Sequence, residues 1–182
     1  MNNDKKLYIG SVTRDGSLVR VKSGNAEDQL PLCLNIRNHS PTGFAWGYGG
    51  SGPAQLSLAI LVDHFRCRVS NAGTAKWLAE QLYQTFKFSV ISSLAQDQGW
   101  AMTDQDISRS LCKIVIDERE SFIDHVVAGL LLDLEDEAID PGDVTAAAVS
   151  TLVEAFAMSP EFAETLIDQV HGERRSGCRQ SP

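Results

Sequence analysis

No stretch of this chain approaches the roughly twenty consecutive apolar residues that a membrane-spanning helix needs, which argues against a membrane protein. There is also no Cys-x-x-Cys pair. The four cysteines, Cys33, Cys67, Cys112 and Cys178, are widely scattered. That spacing fits neither a zinc site nor a disulfide framework; it predicts reduced thiols, the first three as small core residues. No internal repeat and no low-complexity segment is present. The opening Met-Asn-Asn-Asp-Lys-Lys leads into no signal-type apolar core, so a cytoplasmic location is expected.

Positive charge is scarce in one part of the chain only. Residues 1–111 carry eleven Lys and Arg against nine Asp and Glu, a net of +2. Residues 112–182 carry five against fifteen, a net of −10. The shift divides the chain into 1–111 and 112–182, and it argues against direct contact between the second part and nucleic acid. At 182 residues there is length for one large domain or two small ones.

What the sequence does have is a dense glycine loop. Gly43 to Leu61 runs from an aromatic segment through Gly47, Gly49, Gly50 and Gly52 into Pro53 and an apolar helix. Proline fits the first position of a helix, and Ser51 or Gly52 would be the N-cap. Leu56, Leu58, Ala59, Ile60, Leu61 and Phe65 are apolar on more than one face, as in a central buried helix. Unpaired N–H groups and the helix dipole at such a terminus favour anions. The Gly47-x-x-x-x-Gly52 spacing matches the start of a P-loop. Pro53 and Ala54, however, occupy the positions of the phosphate-binding lysine and the magnesium-binding hydroxyl, so that chemistry is excluded. A structural role, with Trp46 and Tyr48 tucked close to the helix, is the stronger reading. Binding of a phosphate or nucleotide, by a ligand-binding protein or an enzyme, is the alternative.

The run Trp46-Gly47-Tyr48-Gly49-Gly50-Ser51-Gly52-Pro53-Ala54-Gln55-Leu56 resembles the signature of a small family of unknown function. Its members occur in phages, plasmids and bacterial or archaeal genomes. The resemblance spans about Leu7 to Leu111, with a weaker echo at Trp100-Ala101-Met102-Thr103-Asp104-Gln105-Asp106-Ile107. It implies a mobile-element setting and supplies no activity. The family pattern often has an acidic residue where this chain has Ala45; a carboxylate catalytic in relatives would be missing here.

Around the loop, Leu7–Val12 and Ser17–Val21 flank Arg14-Asp15-Gly16 and read as a hairpin. Residues 23–31 read as loop, Leu32–Ile36 as a third strand and Phe44–Tyr48 as a fourth. The Pro53 helix should end near residues 66–69. A second helix should start near Thr74, and a third should be capped by Thr103. Three apolar stripes follow: Phe122 to Leu134, Val149 to Phe156 after Asp140-Pro141-Gly142-Asp143, and Phe162 to Val170 after Ser159-Pro160-Glu161. From Gly172 the tail reads as frayed. The fold class expected is α+β: a small antiparallel sheet packed by helices, then an acidic all-helical module.

Asp63, His64 and Cys67 share one helical turn, but no second cluster completes a metal site, and a structural role is expected. Arg37 and His39 gather before the loop and could converge with Ser51 and Gln55 on one pocket. The candidate ligand residues are therefore Arg37, His39, Trp46, Gly47, Tyr48, Gly49, Gly50, Ser51, Gly52 and Gln55. No nucleophile, base and orienting acid stand at a recognised spacing, so no catalytic residue, cofactor or metal is assigned. The acidic stretch Asp133, Glu135, Asp136 and Glu137 is a candidate partner interface, since a strongly negative surface can imitate nucleic acid in a basic groove. The leading expectation is a non-enzymatic accessory protein of a mobile element that binds another protein, such as a basic nucleic-acid-binding host protein, to inhibit a defence. Homo-oligomerisation stays open.

Overall fold

A computed structural model describes residues 6–14, 16–136 and 140–177. The fold is α+β, a four-stranded antiparallel sheet with helices following. Two compact units make up the chain, Met1–Ile114 and Val115–Pro182.

In the first unit, β1 (Leu7–Thr13) and β2 (Gly16–Ser23) form the expected hairpin, in register Thr13↔Gly16 through Leu7↔Lys22. Asp15 of its turn lies outside the described residues. Contrary to the loop expected at 23–31, the chain turns again at Gly24, whose φ of 56° suits glycine, and adds β3 (Ala26–Gln29). All four β3 side chains are exposed. It is an edge strand without a buried face, so it carries no apolar alternation to reveal it. Glu27 ties it to β2 through Arg20 at 2.8 Å and Lys22 at 3.0 Å.

The two other strands expected from sequence do not form. At Leu32–Ile36, Cys33 adopts a left-handed φ of 54°, and Ile36 N–H bonds back to its carbonyl at 3.0 Å, closing a turn. Phe44–Tyr48 is irregular; Phe44 and Trp46 are buried through loop packing, whereas Tyr48, expected to tuck close to the helix, is exposed. The fourth strand is β4 (Trp100–Thr103), antiparallel to β1, giving the order β3-β2-β1-β4.

Helix α1 (Ser51–Arg66) is the buried centre expected of it, with Gly52 through Val62 all inside. It starts earlier than expected: Gly50 is the N-cap, and Ala54 N–H makes the first helical bond to its carbonyl at 3.1 Å. Helix α2 (Ala72–Ser89) is capped by Asn71, whose side chain accepts from Gly73 and Thr74 N–H. A single 3₁₀ turn, Ile91–Ser93, follows. Helix α3 (Asp104–Asp117) begins with Thr103 as its cap. Thr103 Oγ1 accepts from Asp106 N–H at 3.1 Å, and Asp106 accepts from Thr103 N–H at 2.9 Å.

The second unit holds α4 (Arg119–Phe122), a π-helical turn (Ile123–Val127), α5 (Ala128–Asp136), α6 (Pro141–Phe156) and α7 (Pro160–Gly177). The three apolar stripes supply its core, with Phe122 and Phe156 edge-to-face at 5.1 Å. The start signals act as expected: Asp140 C=O accepts from Asp143 and Val144 N–H, and Ser159 Oγ from Phe162 N–H. Helix α7 continues past Gly172, where fraying was expected, to Gly177. None of the three described cysteines is a core residue. Cys33, in a turn, and Cys112, within α3, are half-buried, and Cys67, at the C-cap of α1, is exposed.

Candidate functional site

The glycine loop folds onto its own backbone. Gly47 has a φ of 83°, and a Cβ there would stand 2.7 Å from the Gln96 backbone and from Leu94 C=O. Its N–H bonds to Ile91 C=O at 3.0 Å. A Cβ on Gly52 would meet Ala45 Cβ at 2.7 Å, and one on Gly50 would overlap the Tyr48 ring. One on Gly49 would press on Phe88 at 3.1 Å. These glycines therefore allow close packing by side chains and backbone already in the protein.

Trp46 is buried beneath the loop, donating from Nε1 to Ala95 C=O at 3.1 Å and Gln98 C=O at 3.0 Å. Its ring meets Trp100 edge-on at 5.7 Å. Trp100 in turn lies across Gly10, its partner in register on β1. The two sequence segments led by tryptophan thus pack on each other.

Gln55 is fully buried and its amide is saturated. Oε1 accepts from His39 N–H at 2.8 Å and Ser40 N–H at 3.1 Å; Nε2 donates to Leu32 C=O and, at 3.0 Å, to Arg37 C=O. It anchors the irregular 32–40 segment to α1, giving backbone groups that lack strand partners a replacement. Arg37 points to Glu80 at 3.1 Å. His39 stacks on Tyr83 at 5.2 Å. Burial first, then the nearby Arg37 and Lys87 cations, holds the His39 pKa below the usual histidine range, which favours its neutral form at neutral pH. Ser51 is exposed at the start of α1. Beside the loop two aromatics stand in solvent, Tyr48 at 42 % and Phe88 at 62 % exposure. Phe88 was absent from the residues singled out by sequence; its place on the exposed side of α2 could have suggested it.

A second polar cluster lies at the other end of α1. His64 is fully buried, with Nδ1 2.6 Å from Asp104 Oδ1, and Arg68 pairs with Asp104 Oδ2 at 2.5 Å. Burial outweighs the carboxylate and pushes the His64 pKa down, so at neutral pH the ring is neutral and Nδ1–H donates. Burial also acts on Asp104, pushing its pKa up; the His64 and Arg68 hydrogen bonds and charges overcome it and hold Asp104 at about 2. The charge of His64 contributes to that only in acid. Next to this pair, Asp63 accepts from Tyr8 O–H at 2.7 Å and from Lys6 Nζ at 2.8 Å. Burial, then Asp63, pushes the Tyr8 phenol pKa up. His64 thus turns to Asp104 while Asp63 and Cys67 both accept from Lys6 Nζ, and no group of three or more metal-ligating side chains gathers among the described residues. Lys6, Tyr8, Arg68 and Asp104 come from distant sequence and gave no sign of convergence.

On the second unit, Asp133 and Glu135 are exposed on α5. Asp136 ends that helix and its side chain is not among those described; Glu137 lies outside the described residues. Surface depressions occur among the described residues of this unit. One of about 470 Å³ is lined by Arg119, Glu120, Ile123, Asp124 and Gln169, and one of about 530 Å³ lies between α6 and α7.

Fold and loop together define the first unit as a small α+β domain built on a self-packed glycine loop and a buried central helix. The chain belongs to a family of unknown function (DUF6166), whose family model matches residues 8–113. No curated protein and no solved structure matches the chain. Among the described residues, no helix is long and apolar enough to cross a membrane.

Proposed function

We propose that the protein is a non-enzymatic, cytoplasmic accessory protein of a phage or other mobile element that acts by binding another protein, most concretely as an anti-defence inhibitor. The observation that carries the binding role is the glycine loop's surroundings. Its glycines are filled by Ala45, Tyr48, Phe88 and Gln96, and the Gln55 amide is fully used inside the protein. Tyr48 and Phe88 meanwhile remain in water next to Gly49 and Gly50. Exposed aromatics are typical anchors of protein interfaces, since they carry large area at low entropic cost. The net charge of −10 over residues 112–182 favours a basic partner, such as a nucleic-acid-binding host protein, and fast, salt-sensitive association.

The test is a pull-down from host lysate at low salt, followed by affinity measurement with the captured protein. Tyr48→Ala with Phe88→Ser is expected to weaken binding at least tenfold, and Asp133→Lys with Glu135→Lys to reduce its salt dependence. A captured partner indifferent to both pairs of changes refutes the assignment.

One observation favours a second reading. The N-cap of α1 is Gly50, without a side-chain cap bond, and the first turn holds no acidic residue. Such a terminus suits a phosphate or nucleotide on Gly49 to Gln55. A thermal-shift screen with nucleotides and inorganic phosphate decides this: a rise in Tm that Ser51→Asp removes supports the ligand, and a flat screen rejects it.

A further inference from the structure

We propose that Lys6 and Cys67 are the two halves of an oxidation-formed covalent cross-link, a sulfenamide between Nζ and Sγ that ties the entry of β1 to the end of α1. Lys6 Nζ stands 2.9 Å from Cys67 Sγ across 61 residues of sequence. Nζ donates a hydrogen bond to Sγ, so the two atoms are already in contact, closer than the roughly 3–3.5 Å of a near-attack pair. The amine has only to lose a proton and turn its lone pair to sulfur. The amine is held in place: Asp63 accepts from it at 2.8 Å and is itself fixed by Tyr8 O–H at 2.7 Å. Cys67 is exposed, so a dissolved oxidant reaches its sulfur. Cys33 and Cys112 are half-buried, and burial pushes both thiol pKa values up. The inference is independent of the binding role proposed above.

The chemistry requires a hydroperoxide. Cys67 Sγ attacks the O–O bond of hydrogen peroxide and takes one oxygen, giving a sulfenic acid and water; sulfur loses two electrons and the peroxide gains them. Lys6 must shed a proton to expose its lone pair, and Asp63 Oδ2 is the acceptor already bonded to it. The free amine then attacks sulfur. The S–N bond forms as the S–O bond breaks, and the departing hydroxide leaves as water with a second amine proton. This coupling step involves no further oxidant. A thiol reductant reverses it by attack on sulfur, restoring the amine and passing sulfur into a disulfide that a second thiol resolves.

The experiment treats the full chain with hydrogen peroxide, blocks remaining thiols by alkylation, and maps peptides without reductant by mass spectrometry. The expected product joins the peptides bearing Lys6 and Cys67, two hydrogens lighter than their sum, and disappears with a thiol reductant. The cross-link should also raise Tm, because it closes a long loop in the unfolded chain. Lys6→Arg keeps a cation for Asp63 but offers a poor nucleophile. It should retain the circular-dichroism spectrum, lose the link and accumulate trappable sulfenic acid on Cys67. Cys67→Ser, which leaves Lys6 intact, should abolish the link equally. Cys67 oxidised in the native protein without a link overturns the proposal. So does a link that persists in Lys6→Arg, or one that forms as readily in urea.

Discussion

Replacing Gln55 with leucine tests how the glycine-loop domain is held together. The substitution preserves much of the side-chain volume and removes two accepting and two donating contacts, to His39 and Ser40 N–H and to Leu32 and Arg37 C=O. A net contribution of about 0.5–1.5 kcal/mol per hydrogen bond gives roughly 2–6 kcal/mol for the set. The 32–40 segment lies at the surface, so water can reach part of what is lost, and about 3 kcal/mol is the expected cost. Urea denaturation followed by tryptophan fluorescence measures it as a lower midpoint at unchanged slope. Limited proteolysis with trypsin should also cleave faster after Arg37. Gln55→Glu sharpens the test: the carboxylate still accepts from His39 and Ser40 but faces two carbonyls, so at neutral pH it should cost at least as much. A loss for Gln55→Leu below about 1 kcal/mol, with unchanged cleavage at Arg37, would refute the view that this amide anchors the segment.

Further outcomes follow from the geometry. Gly47→Ala combines a φ of 83° with contact against the Gln96 backbone, so it should cost about 2–4 kcal/mol in urea denaturation, while Gly16→Ala, with open space around it, should cost less. Asp104→Asn leaves Arg68 without its carboxylate and should cost about 3 kcal/mol. The wild-type acid limb has a defined sign. The folded pKa of Asp104 lies at about 2, below its ordinary 3.8, so its stabilisation is complete above that ordinary value and disappears as pH falls through the folded one. His64 is also depressed, and its share fades earlier, as pH drops through and below the usual histidine range. Denaturation midpoints measured from pH 7 to pH 2 should therefore fall in two stages, with Asp104→Asn flattening the lower one. Tyr48→Ala and Phe88→Ser should each cost about 1 kcal/mol or less, checked by thermal melting, because both rings are largely in solvent and touch the protein mainly at Gly50, Gly49 and Lys87.

The candidate site was legible to different depths at different residues. The Gly47–Gly52 run and Pro53 announced a special backbone next to a helix, and the structure has one there. The purpose of each glycine was not legible, because what fills the space beside it comes from Ala45, Phe88 and Gln96, at separations that local sequence does not encode. Gln55 read as a candidate ligand residue that could converge with Arg37 and His39 on a pocket; its burial and four backbone contacts depend on where residues 32–40 return in space. Asp104 was read as a helix-start acid, His64 as one of three polar residues on a turn with Asp63 and Cys67, and Arg68 only as part of the helix end, since a pairing across 40 residues leaves no periodic mark.

By itself the sequence determined the β1–β2 hairpin, the three N-terminal-unit helices, the apolar stripes of the second unit and the division of charge. These depend on turn chemistry, caps and apolar spacing, all of which act within a few residues. Tertiary structure decided the rest of the sheet. An all-exposed edge strand at Ala26–Gln29 and a four-residue strand at Trp100–Thr103 exist because β2 and β1 offer them backbone partners. Leu32–Ile36 alternates as well as many strands do, yet it turns, because its polar backbone finds Gln55 on the buried helix instead of a neighbouring strand.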